Sequence, residues 1–262
     1  LVVYLLLAAI LTFGQILYSA QTVQQVADVA AREISRTPLS ATADLMDVLY
    51  SNDSQFAGVR TAVFNPQLLQ YDLSTLAPGQ SILDQVRTWP IVNQMLYPLM
   101  VPIIPPGATQ AQWLSYPGVV PCTDGGGRTV YCVAQVNSAA TGGTETVSWV
   151  PVIEEITPGA FSVASSQGGL VSLRVNIGCG SASMSAFPPQ TSWPPAPTGP
   201  AIVASDDPVT GSYTPTGTPL QSQSTTYNGN QGLGTQQAWG ATVRPYRRLI
   251  SAQAIFRREV FQ

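Results

Sequence analysis

The chain opens on a long apolar run, LVVYLLLAAILTFGQILYSA, and the pattern that follows changes without a break. From Leu1 to Ala20 there is no charged residue, and apolar side chains go all the way round any helix drawn through the segment. Such a helix would span roughly 30 Å, the thickness of a hydrocarbon core. From Gln21 to Arg36 the pattern turns amphipathic. Val23, Val26, Ala27, Ala30 and Ile34 recur at three- and four-residue steps, while Gln21, Gln24, Gln25, Asp28, Arg32 and Glu33 take the other faces. Asp28 and Arg32 stand four apart, in the order that supports a helix. One continuous helix is therefore predicted over residues 1–37, ending at Thr37-Pro38. It is greasy in its first half and two-faced in its second.

Three settings fit that helix. A signal peptide would need a basic stretch before the run and a small-residue cleavage site followed by unrelated sequence, whereas no Lys or Arg precedes the run and the helical pattern carries through its end. A single-pass anchor would explain the apolar half alone. A helix that bundles with its own kind would explain both halves, and a chain beginning at Leu1 without Met reads as cut just before the run.

The remainder, 38–262, reads as an exported α+β domain. Ser40 is the expected N-cap of a short helix carrying Leu45, Met46 and Leu49, and a second short helix runs through Val59 and Val63 to Asn65-Pro66. LLQYDL alternates as a strand. Residues 81–99 suggest helical turns around Trp89-Pro90. The segment from Met100 to Pro106, with Val101, Ile103 and Ile104, is too rich in proline for a central strand; it predicts a buried crossing or an apolar patch meeting a neighbour. VVPCTDGGGRTVYCVAQV predicts a hairpin with Asp124-Gly125-Gly126-Gly127 at its tip and a half-buried second strand. Cys122 and Cys132 flank that tip. In an exported protein their expected state is a disulfide stabilising by about 2–3 kcal/mol, two core thiols being the alternative. Residues 144–156 and 170–179 predict further strands, the second with Cys179 on its buried face as a leftover thiol.

Residues 186–234 are rich in Pro, Thr, Ser and Gly with no sustained period, which predicts a long irregular surface loop. Ala241-Thr242-Val243 reads as a strand. Leu249–Phe261 fits both periods, with a final sheet strand preferred. The expected architecture is thus a long N-terminal hydrophobic helix, then short helices and a mainly antiparallel sheet with long irregular loops.

Composition narrows the chemistry. Charged residues are only 10% of 262, the net charge is -3, all eleven basic residues are Arg, and neither His nor Lys occurs. That excludes a Ser-His-Asp triad, His-ligated zinc, a Schiff-base lysine and a P-loop lysine. Glu154-Glu155 and Asp206-Asp207 are adjacent carboxylates, and adjacency in a strand points them to opposite faces rather than across a substrate. No catalytic residue, metal or cofactor is expected, and the protein is read as no enzyme. Five of the Arg cluster near the C-terminus, Arg247 and Arg248 among them, and with Glu259 adjacent they suggest intersubunit ion pairs rather than a nucleic-acid surface.

The apolar run followed by FGQILYSAQTVQQVADVAAREISR resembles the N-terminal segment of TadE/TadG-type pilin-like proteins, within the wider type IV pilin group. Gly14, Tyr18, Gln21 and Ala31-Arg32-Glu33 carry the likeness, over about forty residues. The departure is Leu5, where type IV pilins usually carry Glu. The resemblance implies a structural subunit held in the bacterial inner membrane and then drawn by an assembly machinery into an extracellular filament. Its assembly helix would use Leu5, Leu6, Ile10, Phe13, Ile16, Leu17, Val23, Val26, Ala30 and Ile34, with Met100, Val101, Ile103, Ile104, Arg247 and Arg248 as intersubunit contacts. The alternative is a membrane-anchored or pilus-tip binding module whose 187–234 loop engages a surface or glycan.

Overall fold

The computed structural model describes residues 2–104, 108–137, 146–166, 168–179, 213–216 and 248–259. Its first element, α1 (Val2–Arg36), is one unbroken helix of 35 residues, as the continuous periodicity predicts. Val23, Val26, Ala27, Ala30, Ala31 and Ile34 are fully buried. They lie against β8 (Leu170–Cys179) and β10 (Arg248–Arg257), which pair antiparallel over ten residues with Val175 opposite Ala252 and Leu173 opposite Ala254. On β10, Ala252 and Ala254 are buried while Ser251, Gln253 and Ile255 are exposed, so α1 covers the alanine face. Small residues on both partners, Ala27, Ala30 and Ala31 above Ala252 and Ala254, let the helix approach the sheet closely. The ambiguous C-terminal segment is thereby a strand, fixed by its register with β8 and by the helix above it.

After α1 come the short helices α2 (Leu45–Tyr50), α3 (Ala57–Ala62), α4 (Ile82–Val86) and α5 (Ile91–Leu96). The N-cap of α2 is Asp44, whose carboxylate accepts from the N–H groups of Met46 and Asp47, and not Ser40. Its charge beside the helix N-terminus and its reach to two donors account for the difference. The strands β1 (Gln70–Asp72), β2 (Val101–Ile103) and β3 (Trp113–Ser115) form a small sheet with β3 central, so the proline-rich segment sits on an edge with Pro102 opposite Leu114. Edge placement is what proline demands.

A four-stranded sheet runs β6 (Thr146–Pro151), β5 (Thr129–Asn137), β4 (Val120–Asp124) and β9 (Tyr213–Pro215). The third sheet is β10-β8-β7, with β7 at Ile153–Glu155. Residues 144–156, expected as one strand, are two: at Val152 the chain passes from one sheet to the other, its N–H donating to Tyr131 O and its carbonyl accepting from Asn176 N. All pairings among the described strands are antiparallel. Val130, Tyr131, Cys132, Val133 and Ala134 are all buried, so β5 is covered on both faces rather than half-buried. β9 comes from the region expected to be irregular throughout. The Ala241–Val243 strand and Asp206-Asp207 lie outside the described residues.

Candidate assembly site

The feature that asks for a partner is the first half of α1. Below Ser19 the helix is seated on its own domain; above it the side chains are bare. Leu5, Leu6, Ile10, Phe13 and Leu17 are 60–66% exposed, and Val2, Val3, Tyr4, Leu7 and Leu11 are exposed as well. Ile16 is half-buried, where the helix leaves the domain. Val2 to Tyr18 rises about 25 Å, and the whole helix is long and apolar enough to cross a membrane. A contiguous apolar surface of this extent is not left in water by a soluble monomer.

Of the ten residues expected to serve assembly, the structure divides the set. Val23, Val26, Ala30 and Ile34 are spent on the chain's own sheet, while Leu5, Leu6, Ile10, Phe13 and Leu17 remain free for another surface. Packing on the sheet separates them within one unbroken helix.

The C-terminal end of α1 is held by groups far apart in sequence. Arg258 is only 4% exposed. Its guanidinium donates to the carbonyls of Phe161, Leu39 and Ser40 at 3.2, 2.6 and 2.7 Å and lies 4.5 Å from the Phe161 ring centroid. Burial pulls its pKa down from the ordinary arginine value. Next to it the Glu259 N–H donates to Ser35 O, and Gln24 Nε2 donates to Gln253 O. The exit of α1 and the end of β10 are thus tied to one another. The cluster of C-terminal arginines gave no hint of this: a single arginine facing carbonyls has no sequence signature.

At the hairpin tip Asp124 accepts from the N–H groups of Gly126 and Arg128 and from Arg128 Nε, which is 2.6 Å away. Burial acts to raise the Asp124 carboxyl, but the Arg128 and Gly126 bonds and the Arg128 charge outweigh it and hold the group below its usual value. Arg128 also reaches Asp47 and Asp44, joining the hairpin to α2.

Cys122 and Cys132 are both buried and unbridged, which corrects the expected disulfide. The register sets Cys122 opposite Val130 and Cys132 opposite Val120. The two are diagonal neighbours, and diagonal Cα atoms stand roughly 7–8 Å apart, beyond the usual disulfide reach. Burial first, then the neighbouring Cys122, push the Cys132 thiol well up, away from thiolate reactivity. Cys179 is buried at the end of β8.

Of the other expected contacts, Ile103 is buried, Met100 and Val101 are half-buried and Ile104 is 53% exposed. Arg247 lies outside the described residues, and Arg248 falls in β10 with its side chain outside them. Glu154 turns to Arg174 and Asn176, whereas Glu155 accepts from the N–H groups of Gly159 and Phe161, so the adjacent carboxylates diverge.

Comparison of the chain with family models, with curated proteins and with solved structures gives no match. What stands is a long apolar N-terminal helix, half free and half packed on the β domain that follows it.

Proposed function

We propose that this protein is a pilin-like structural subunit, held in a bacterial inner membrane by the first half of α1 and polymerised into an extracellular filament through that same segment. One observation carries the reading: a single unbroken helix is packed on its own domain along residues 19–36, while Leu5, Leu6, Ile10, Phe13 and Leu17 in its first half are bare. A rigid continuation keeps the domain at a fixed offset from whatever holds the apolar half, which is what a repeating subunit needs. The resemblance of residues 1–36 to TadE/TadG-type pilin-like segments supports the same reading.

Burying Leu5, Ile10 or Phe13 from water gains on the order of 1.5–3 kcal/mol each. From a bilayer that gain largely disappears, because lipid tails are as apolar as leucine. Extraction into a filament is then driven by side-chain packing and by an assembly machinery. In the filament the bare halves bundle as the core and the β domains form the sheath.

The test is electron microscopy of material sheared from the cell surface, with mass spectrometry of the sheared band. Uniform filaments containing this chain as the repeating component are expected. A protein that stays in the membrane fraction as a monomer would instead be an anchored binding module, with its 187–234 loop as the contact.

A further inference from the structure

The sheet β10-β8-β7 has two edges, and they are finished differently. At β7 the Tyr50 hydroxyl donates to Ile153 O at 2.9 Å and accepts from Ile153 N–H at 3.1 Å, which closes that edge. β10 is the other edge, and its register shows which groups face out. Asn176 N–H donates to Val152 O and Asn176 O accepts from the Tyr116 hydroxyl, both away from β10. Ser251, opposite Asn176, therefore turns its own N–H and C=O outward, and alternation carries Gln253, Ile255 and Arg257 with it. Arg258, next in the chain, donates inward to Gly169 O, as the alternation requires. Among the described residues this row meets α1 at Gln253 O, through the Gln24 side chain, and just past the strand, where Glu259 N–H donates to Ser35 O.

Long open edges are ordinarily blunted by charge, proline or a bulge. Residues 249–256, LISAQAIF, carry neither charge nor proline, and β10 pairs with β8 without a bulge. Ser251, Gln253 and Ile255 are exposed. At 63%, Ile255 is the most exposed large apolar side chain outside α1 among the described residues, and Leu170, diagonal to it on β8, is exposed too. An arginine stands at each end of the strand, Arg248 and Arg257. These ends select the occupant. A second β10, antiparallel over the same residues, would set Arg248 opposite Arg257 twice, and like charges directly opposite are unfavourable.

We infer that the outer edge of β10 is a docking site for an extended peptide strand of another protein, uncharged along its middle and acidic at its ends. The strand adds to the sheet through the outward N–H and C=O groups, with an apolar side chain over Ile255 and Leu170 and its carboxylates toward the two arginines. The edge lies on the domain and not on the bare half of α1, so its occupancy does not depend on filament formation.

The experiment measures fluorescence anisotropy of the labelled peptide Asp-Thr-Val-Thr-Val-Thr-Val-Asp with the full chain in detergent micelles, beside a counterpart ending in Lys. The Asp-ended peptide should bind saturably and more tightly than the Lys-ended one, and Arg257→Glu should reverse that order. Ser251→Pro removes an outward donor and leaves the bonds to β8 in place; it should weaken binding roughly tenfold with the thermal midpoint unchanged. Ile255→Lys, at an exposed position, should weaken binding as well and decides the matter should the proline disturb folding. No saturable binding by the parent, equal affinity for the two peptides, or binding unchanged in Ile255→Lys overturns the site. A parental dimer that Ile255→Lys splits would give the edge to a second copy and overturn it too.

Discussion

The two halves of α1 share one unbroken helical backbone, yet they live in different worlds. Residues 19–36 bury Val23, Val26, Ala27, Ala30, Ala31 and Ile34 completely; residues 2–18 leave Leu5, Ile10 and Phe13 more than half exposed. The difference shows that one helix can be core over part of its length and bare over the rest. Full burial stops at Ser19, and the apolar pattern does not.

That contrast can be broken most sharply by placing one charge in each half. Val26→Asp buries an unpaired carboxylate against Ala252 and Ala254 and should destabilise the domain by about 3–5 kcal/mol, enough to unfold it in denaturant titrations. Ile10→Asp should leave that midpoint in place. Its cost falls instead on membrane insertion, about 2.5–3.5 kcal/mol at the centre of a span, read as a shift from membrane to soluble fraction. If both variants lost domain stability equally, the division of the helix at Ser19 would be wrong.

A smaller effect sharpens the comparison at the C-terminal end of α1. Arg258→Ala leaves the carbonyls of Phe161, Leu39 and Ser40 without their donor and removes the guanidinium from the Phe161 ring. A loss of about 2–3 kcal/mol is expected from charged hydrogen bonds of this kind. Hydrogen exchange should then quicken at the C-terminal turn of α1 before it does at β5.

The smallest expected effect is pH-dependent and lies away from the helix. The Asp124 carboxyl is held below its usual pKa in the folded chain, so its contribution to stability is present above the ordinary aspartate value and is lost as pH falls through the folded one. Asp124→Asn should cost about 1.5–2 kcal/mol at neutral pH, within the range for hydrogen bonds to a charged group. The gap between variant and parent should close as thermal scans move below about pH 4. A gap that is constant with pH would mean that the turn geometry, not the charge, supplies the stability.

Much of the fold was legible in the residues. The helix and its amphipathic second half, the Asp-Gly-Gly-Gly hairpin and the 170–179 strand all follow from local pattern and backbone chemistry, and each is where the pattern puts it. The failures are non-local. Nothing in 144–156 announces that Val152 changes sheets, because the exchange depends on Tyr131 and Asn176 on two other strands. The expected disulfide failed on register: spacing around the turn brings Cys122 and Cys132 near, but a diagonal offset keeps them apart. β9 escaped notice because a three-residue strand ending in Pro215 has no period of its own and exists by pairing with β4.

By itself the sequence determined the apolar helix, its length, the absence of His and Lys chemistry and the α+β class, since these depend on near neighbours and on which atoms are present. Only the tertiary structure decided which apolar helix residues are buried on the chain's own domain and which are left exposed. Burial is a property of surfaces that meet, and β8 and β10, far away in the sequence, lie against α1 where Ala30 and Ile34 are buried, while Ile10 stays exposed.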